Sequence, residues 1–278
     1  GSAYLNIPED ELDKITNDPS LAKEYSSWPQ AGTYAYCFNT WRKPTDDIRL
    51  RKAIASVIDR NLITGLVLRG GNKPAYSFVH PLVLGSPSAN ADAEIAIPFN
   101  PDAGRKWLRQ AGYQEGHNLP QIELLCLKSE RHLRLANAVK LLVKHHLNIQ
   151  IKVISVDWDN YIKRIESDNA PHMFCLDWIG EYPDANNFLN KLSHPDYKIL
   201  PRRANEEFKS LIDLAGKTME SDTRKELYIQ AEKILCRETV SLIPIFYEAS
   251  HVLVKPRVKE WYMSPFTGHH IKDWRLEK

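Results

Sequence analysis

The sequence predicts an α/β protein in which helices surround a central sheet. Two observations lead to this prediction: strand-like and helix-like segments alternate from residue 121 to residue 179, and 43% of the 278 residues are hydrophobic. With 26% charged residues, this composition is typical of a globular protein and excludes disordered, fibrous and coiled-coil chains. The length suggests about two domains.

The first half of the chain predicts one strand and two helical segments around a loop. Thr33–Thr40 alternates aromatic and small residues, which is typical of a strand. Ile48–Leu68 repeats apolar residues every three or four positions, which predicts one amphipathic helix or two in series. The proline-containing stretch Lys73–Ala96 predicts an ordered surface loop, and Pro101–Ala111 predicts a helix.

From residue 121 onwards the predicted elements alternate regularly as strand, helix, strand, helix and strand. They are Gln121–Lys128, Glu130–His146, Ile149–Val156, Trp158–Ser167 and Met173–Ile179. This order predicts parallel strands joined by crossover helices. Two helices and two short strands follow, namely Asn205–Met219, Asp222–Glu238, Ile243–Tyr247 and His251–Val254.

The charged and cysteine residues exclude several classes of partner. The 37 basic and 35 acidic side chains leave a net charge of +2, so we expect no nucleic-acid partner. No apolar run reaches about 18 residues, so we expect no membrane-inserted segment. The four cysteines fit no metal site, and we expect neither a metal nor a cofactor. Buried free thiols are expected, with a disulfide between Cys126 and Cys175 as the alternative.

The densest group of candidate binding residues is Asp177–Asp184, directly after the third strand of the alternating series. Ligands bind outside the carboxyl ends of strands in open parallel sheets. Trp178 offers an apolar face with an N–H donor, Gly180 allows close backbone approach, and Glu181 can pair with a cation. Alternatively, Trp178 belongs to the core while Glu181 and Asp184 cap the next helix.

A histidine and a pair of carboxylates raise two further hypotheses. His132 lies in the first turn of the helix after the first strand of the series, at the same edge; the alternative is an ordinary surface histidine. Glu181 with Asp177 or Asp184 could serve as acid and base. No nucleophile, base and orienting group can be assembled around them, so we expect no enzyme.

Five groups of segments, in order over nearly the whole chain, resemble one known family. They are Phe38–Thr40 with Asp47–Ala53 and Ile58–Arg60; Phe99–Ala103 with Ala111–Tyr113; Trp178–Leu189; Arg224–Leu235; and Ile243–Tyr247 with Leu253–Pro256. In this order they resemble the extracellular solute-binding proteins of family 5, which serve ABC importers of peptides. The likeness is to the oligopeptide-binding branch.

The resemblance implies a fold and a division of the chain. The implied fold is a periplasmic-binding-protein type II lobe, with a central mixed, partly parallel sheet flanked by helices. Residues 39–248 would form the second, C-terminal ligand-binding lobe. Residues 1–38 would be a remnant of the first, N-terminal lobe, and residues 249–278 would be a segment that returns to it.

The implied function is the substrate-binding component of an ABC transporter that imports oligopeptides or dipeptides. Its implied partners are a peptide, held in the cleft between the lobes, and the permease subunits. The protein is expected to be a monomeric lipoprotein in the periplasm or on the extracellular face, anchored through a segment outside this sequence. The alternatives are a family member for a non-peptide ligand (a metal chelate, a haem or a sugar) or a receptor or adhesin domain without a transport role.

The same resemblance assigns a binding role to the loop after the third strand of the series. Glu181 resembles the acidic residue that pairs with the α-amino group of the peptide, although an aspartate is usual there. The carboxylate of Glu181 is therefore one methylene further from the backbone. Gly180 and Tyr182, its neighbours in the loop, are also predicted to bind the ligand.

The remaining predicted ligand-binding residues lie on other segments. Trp178 and Trp158 resemble tryptophans that line the side-chain pockets of peptide binders. His132 resembles a histidine near the C-terminal end of the peptide. Cys175 occupies a position where some oligopeptide binders have an arginine facing the carboxylate of the ligand.

Overall fold

The computed structural model describes residue 7 and residues 11–68, 70–86, 95–193, 205–266 and 271–277. Its strands form a six-stranded sheet and a two-stranded one. They are β1 (Tyr25–Phe38), β2 (Lys73–Pro74), β3 (Ile122–Leu127), β4 (Ile151–Val156), β5 (Met173–Ile179), β6 (Leu242–Leu253), β7 (Val258–Lys259) and β8 (Arg275–Leu276).

Helices flank the larger sheet. They are α1 (Leu12–Asn17), α2 (Ile48–Ser56), α3 (Arg60–Leu62, continued by a π-helical turn over Ile63–Leu68), α4 (Pro101–Gln110), α5 (Glu130–Leu147), α6 (Trp158–Glu166), α7 (Ala185–Ser193), α8 (Glu206–Lys217) and α9 (Ser221–Lys233, continued by a π-helical turn over Ile234–Glu238). Short 3-10 turns cover Gln114–Gly116 and Ile271–Asp273.

The larger sheet is mixed and only partly parallel, which confirms the predicted fold class. Its strand order is β2-β6-β1-β5-β3-β4. β3 runs parallel to both β4 and β5, as the alternating series predicts. β1 runs antiparallel to β5 on one side and to β6 on the other. The parallel half therefore lies on one side of β1.

Capping side chains start the helices that follow the parallel strands. The Ser129 side chain accepts a hydrogen bond from the backbone N–H of His132, and the Asp157 side chain accepts one from Asn160. These bonds satisfy amides that have no partner within the first turn of a helix. α5 is capped at its C-terminal end by Asn148, whose φ of 56° lies in the left-handed region that asparagine tolerates. The caps thus fix where each helix leaves the sheet.

The core lies on both faces of the sheet and includes the inner half of β1. Residues 31–38 are buried, whereas residues 25–30 are mostly half-buried or exposed. The predicted apolar face of α5 is buried against the sheet, and its members are Leu135, Val139, Leu142 and Val143. Gly104 on α4 packs so closely on α2 that a Cβ there would lie 2.9 Å from a methyl carbon of Val57.

Two predicted strands differ from the structure, whereas the helical stretch Ile48–Leu68 takes one of its two predicted forms. It is two helices in series, because Asp59 caps a new start by accepting from the N–H of Leu62. The two predicted strands near the C-terminus are one continuous strand, β6. The outer half of β1 explains this, since Trp28 pairs with Ser250 and so holds the intervening residues extended.

β1 and β6 change register halfway along their pairing. The regular ladder from Tyr25 to Pro29 is interrupted before Thr33, which pairs with Tyr247. The predicted boundary at residue 248 lies beside this shift. The predicted boundary at residue 39 lies at the inner end of β1, so residues 31–38 belong to the core of the described sheet.

Three further features of the described residues concern the cysteines, the helices and the side chains that could bind a metal. All four cysteines lie in the described residues as buried free thiols, so the alternative of a Cys126–Cys175 disulfide is wrong. Every helix within the described residues is too short or too polar to cross a lipid bilayer. Among the described side chains, no cluster of three or more His, Cys, Asp or Glu is placed to hold a metal ion.

Candidate functional site

The segments that carry the predicted site residues meet at one edge of the sheet. β3, β4 and β5 are parallel, so their carboxyl ends lie at the same edge. α5 with His132 follows β3, α6 with Trp158 follows β4, and the loop 180–184 follows β5. This is the edge where an α/β sheet presents side chains to a ligand.

Three sets of contacts hold the loop after β5. Arg224 on α9 donates to both carboxylate oxygens of Asp184, at 2.6 and 3.0 Å. The amide of Leu84 donates to the carbonyl of Pro183, and the amide of Ala185 donates to the carbonyl of Leu84. Because a bidentate arginine pair fixes both partners in orientation, Asp184 anchors the loop to α9.

Gly180 is required by packing within the protein. Its amide donates to the carbonyl of Ala31 on β1 at 2.7 Å. A Cβ at this position would lie 3.0 Å from the ring of Phe188 and 3.2 Å from the carbonyl oxygen of Ala31. The close backbone approach that the sequence suggested for a ligand is made here by β1 and α7.

Glu181 lies beside Trp178 and is paired with a lysine of α7. The side chain of Glu181 is 59% exposed, and its Oε1 accepts from the Nζ of Lys191 at 3.1 Å. The same Nζ lies 4.9 Å from the ring centroid of Trp178. The Trp178 ring is half-buried, and its Nε1 has no hydrogen-bond partner among the described residues. A carboxylate and an aromatic face thus surround one ammonium group.

His132 is buried at the start of α5. Its Nδ1 lies 2.6 Å from the Oγ of Ser129, which also accepts the backbone N–H of His132. The Ser129 hydroxyl proton can therefore point to Nδ1, which assigns the ring proton to Nε2. Burial lowers the pKa of His132; Asp177 opposes this shift and Arg131 adds to it. A neutral imidazole results, 5.7 Å from the ring of Tyr34.

A charged cluster next to His132 was missed from the sequence. Arg131 donates to both oxygens of Glu248 on β6, at 2.8 and 2.6 Å, and lies 3.8 Å from an oxygen of Asp177. The Arg131 guanidinium also lies 5.2 Å from the ring centroid of Phe246. Glu248 is a buried carboxylate directly after the apolar run Leu242–Tyr247, which was the available signal.

Trp158 and Tyr182 stand at the periphery. Trp158 is 61% exposed and stacks on Tyr161 of its own helix, with ring centroids 6.1 Å apart. Trp158 follows β4, and β3 lies between β4 and β5 in the sheet. Trp158 therefore does not join the group around Trp178. Tyr182 is exposed and donates to the side chain of Asn186 at 3.4 Å. The structure therefore brings together Glu181 and Trp178, and separately His132 and Asp177.

Comparison with known proteins identifies the family. The family model for bacterial extracellular solute-binding proteins, family 5, matches residues 2–198. The chain belongs to this family. The family 5 match confirms the resemblance, and it agrees with the mixed sheet described above.

Individual relatives of this family 5 chain include binders of different compounds. The periplasmic murein peptide-binding protein MppA of Escherichia coli is 29% identical over 91% of this chain and 47% of its own length. The probable deoxycholate-binding periplasmic protein YgiS of the same organism is 29% identical over 98% of this chain and 49% of its own length. The chain thus spans about half the length of the curated relatives it matches.

A solved structure supports the same fold. The structure of the murein tripeptide binding protein MppA of Escherichia coli superimposes with a TM-score of 0.81 at 28% identity. The superposition covers 98% of this chain and 53% of the MppA chain. The fold of this family 5 chain therefore corresponds to about half of a larger binding protein.

Proposed function

We propose that this chain is part of the substrate-binding component of an ABC importer and that its substrate is a peptide. The observation that carries the proposal is the position of Glu181 beside the Trp178 ring, at the carboxyl end of β5. A carboxylate and an aromatic face attract an ammonium group, the charge that every free peptide amino terminus carries. Membership of family 5 and the names of the MppA relatives support the same ligand class.

The edge of β5 supports a way to hold the peptide backbone. The ladder between β3 and β5 pairs Leu124 with Met173 and Leu125 with Phe174. The ladder between β1 and β5 continues to Ile179. We propose that an extended peptide pairs with the β3 side of β5, beyond the short ladder between β3 and β5, near residues 176–180. Main-chain pairing does not distinguish side chains, so a broad specificity is expected.

The remaining assignments extend the proposal to the whole protein. Residues 39–248, together with the buried inner half of β1 (residues 31–38), would form the C-terminal lobe, and residues 1–30 and 249–278 would belong to an N-terminal lobe. The protein would be a lipid-anchored monomer in the periplasm or on the extracellular face that delivers peptide to permease subunits, and it would not be an enzyme. Trp158 and His132 would bind the ligand further along the cleft, beyond Glu181 and Trp178.

A second candidate is a non-peptide ligand. It is favoured by the likeness to YgiS, which is named for deoxycholate and matches this chain as closely in identity as MppA does. Such a ligand has no α-amino group, so its binding would not depend on the charge of Glu181. The two candidates therefore differ in a measurable way.

The test replaces Glu181 by glutamine in the natural full-length protein. Glu181→Gln keeps the shape of the side chain and removes its charge, so it should weaken free peptides while N-acetylated peptides bind as before. Because the contact is partly exposed, we expect a loss of about tenfold, below the range for a buried pair. Isothermal calorimetry with matched pools of free and N-acetylated tetrapeptides measures the effect.

Asp213→Asn, an exposed acid of α8, is the control for removing one negative charge. This substitution should change neither the affinity for the free tetrapeptide pool nor that for the N-acetylated pool. Equal weakening of the free and acetylated pools by Glu181→Gln would contradict the assigned role, and binding of neither pool by the unaltered protein would favour the non-peptide candidate.

A further inference from the structure

We propose that Lys191 is an internal competitor for the ammonium group of the ligand and that it sets how strongly the site favours a free amino terminus. This inference rests on the proposed function. Its basis is that one lysine already contacts both groups that would receive a ligand ammonium, the carboxylate of Glu181 and the face of Trp178. The ammonium of Lys191 has the same charge as the peptide amino terminus.

The placement of Lys191 follows from α7. Phe188, Leu189 and Leu192 are buried and fix the helix against the core. Asn187 and Lys191 are four residues apart, so they lie on one face of the helix. Asn187 accepts the backbone N–H of Glu181 at 3.0 Å, and Lys191 donates to its carboxylate at 3.1 Å. One helix face therefore holds both the backbone and the charge of Glu181.

The contacts of Lys191 with Glu181 and Trp178 are strong enough to affect ligand binding and weak enough for a ligand to displace them. The Lys191 side chain is 27% exposed and Glu181 is 59% exposed, so solvent screens their attraction. Exposed ion pairs and cation–π contacts each contribute modestly, and together they correspond to roughly a tenfold change in an equilibrium constant. A peptide amine that takes the position between Glu181 and Trp178 must displace the Lys191 ammonium. An N-acetylated peptide has no charge to place there and leaves Lys191 where it is.

The test replaces Lys191 by methionine, which keeps the length of the side chain and removes its charge. In the natural full-length protein, Lys191→Met should tighten the binding of the free tetrapeptide pool by roughly tenfold and leave the acetylated pool within about twofold. Calorimetry with both pools gives the ratio of the two Kd values. Lys106→Met, on the exposed face of α4, is the control for the loss of one lysine and should not change the ratio.

A double-mutant cycle separates this mechanism from an indirect effect on folding. In the Glu181→Gln background, Lys191→Met should change the ratio by only about threefold, because the Trp178 face is the only group left to compete for. A free-pool affinity that Lys191→Met leaves unchanged or weakens would overturn the role of Lys191, while peptide binding itself would stand. Binding of neither pool by any of these proteins would overturn the proposed function and this inference with it.

Discussion

At the scale of single residues, His80 couples stability to pH. Its ring is buried against Tyr247 with centroids 4.9 Å apart, and its Nδ1 accepts the N–H of Leu82 at 3.1 Å. Burial lowers the pKa of His80 to about 4, and the charge of Lys73 adds to the shift. The folded protein therefore keeps this ring neutral at pH values where an unfolded chain protonates it.

The free energy of unfolding should consequently fall as the pH decreases. Above about pH 6.5 the His80 ring is neutral in the folded and the unfolded state, so it does not make the free energy of unfolding depend on pH. Between that value and pH 4 only the unfolded state binds the proton, so His80 alone should remove about 2 kcal/mol of stability by pH 5. His80→Asn keeps an acceptor for Leu82 and cannot titrate, so it should lose correspondingly less stability between pH 7 and pH 5 in urea denaturation.

His117 provides a matched control for this experiment because its side chain is 73% exposed. His117→Asn should show the same loss between pH 7 and pH 5 as the unaltered protein. If His80→Asn also shows the full loss, the buried ring of His80 is not the group that responds.

At the scale of elements, the loop after β5 depends on a helix far along the chain. Arg224 of α9 holds Asp184 through two hydrogen bonds, and its Nε donates to the carbonyl of Ala215 at 3.1 Å. The guanidinium also lies 5.1 Å from the ring centroid of Tyr228. A single planar side chain thus joins α8, α9 and the loop that carries Glu181.

Arg224→Lys should therefore destabilise the protein although the charge is retained. Lysine cannot form the bidentate pair or the third bond to Ala215, and we expect a loss of about 1–3 kcal/mol in urea denaturation. Arg105→Lys is the comparison, since its pair with Asp102 is exposed and should change stability by under about 0.5 kcal/mol. Equal effects of the two substitutions would show that Arg224 is not an anchor.

At the scale of the whole molecule, β1 and β6 are the strands that extend beyond the core. Their inner halves are buried in the sheet, and their outer halves pair from Tyr25 with Leu253 to Pro29 with Ala249. Trp28 in the outer half is 38% exposed and contacts Trp261 edge-to-face at 5.8 Å. This arrangement suits two strands that connect one lobe to another, as the proposed division of the chain requires.

The isolated 278-residue chain should therefore bind peptides more weakly than the natural full-length protein. If the ligand lies between two lobes, the chain supplies only one wall of the cleft, and much of the binding surface is missing. Calorimetry of both proteins with the free tetrapeptide pool tests this. Micromolar or tighter binding by the isolated chain would contradict the two-lobe proposal.

The sequence by itself determined the class of fold, the parallel series from β3 to β5 and the family. These features depend on local information: the period of apolar residues, the alternation of strand and helix segments, and short motifs such as residues 178–189. It also indicated the edge of the sheet where Glu181, Trp178 and His132 lie, because chain order alone places the carboxyl ends of parallel strands together.

Only the tertiary structure decided which side chains meet at that edge. Lys191 reaches Glu181 across a loop and a helix, and Arg131 reaches Glu248 from a distant part of the chain. It also decided that Gly180 packs on Phe188 and that β6 runs unbroken. The physical reason is that ion pairs and close packing depend on distances between elements, which neither periodicity nor local propensity encodes.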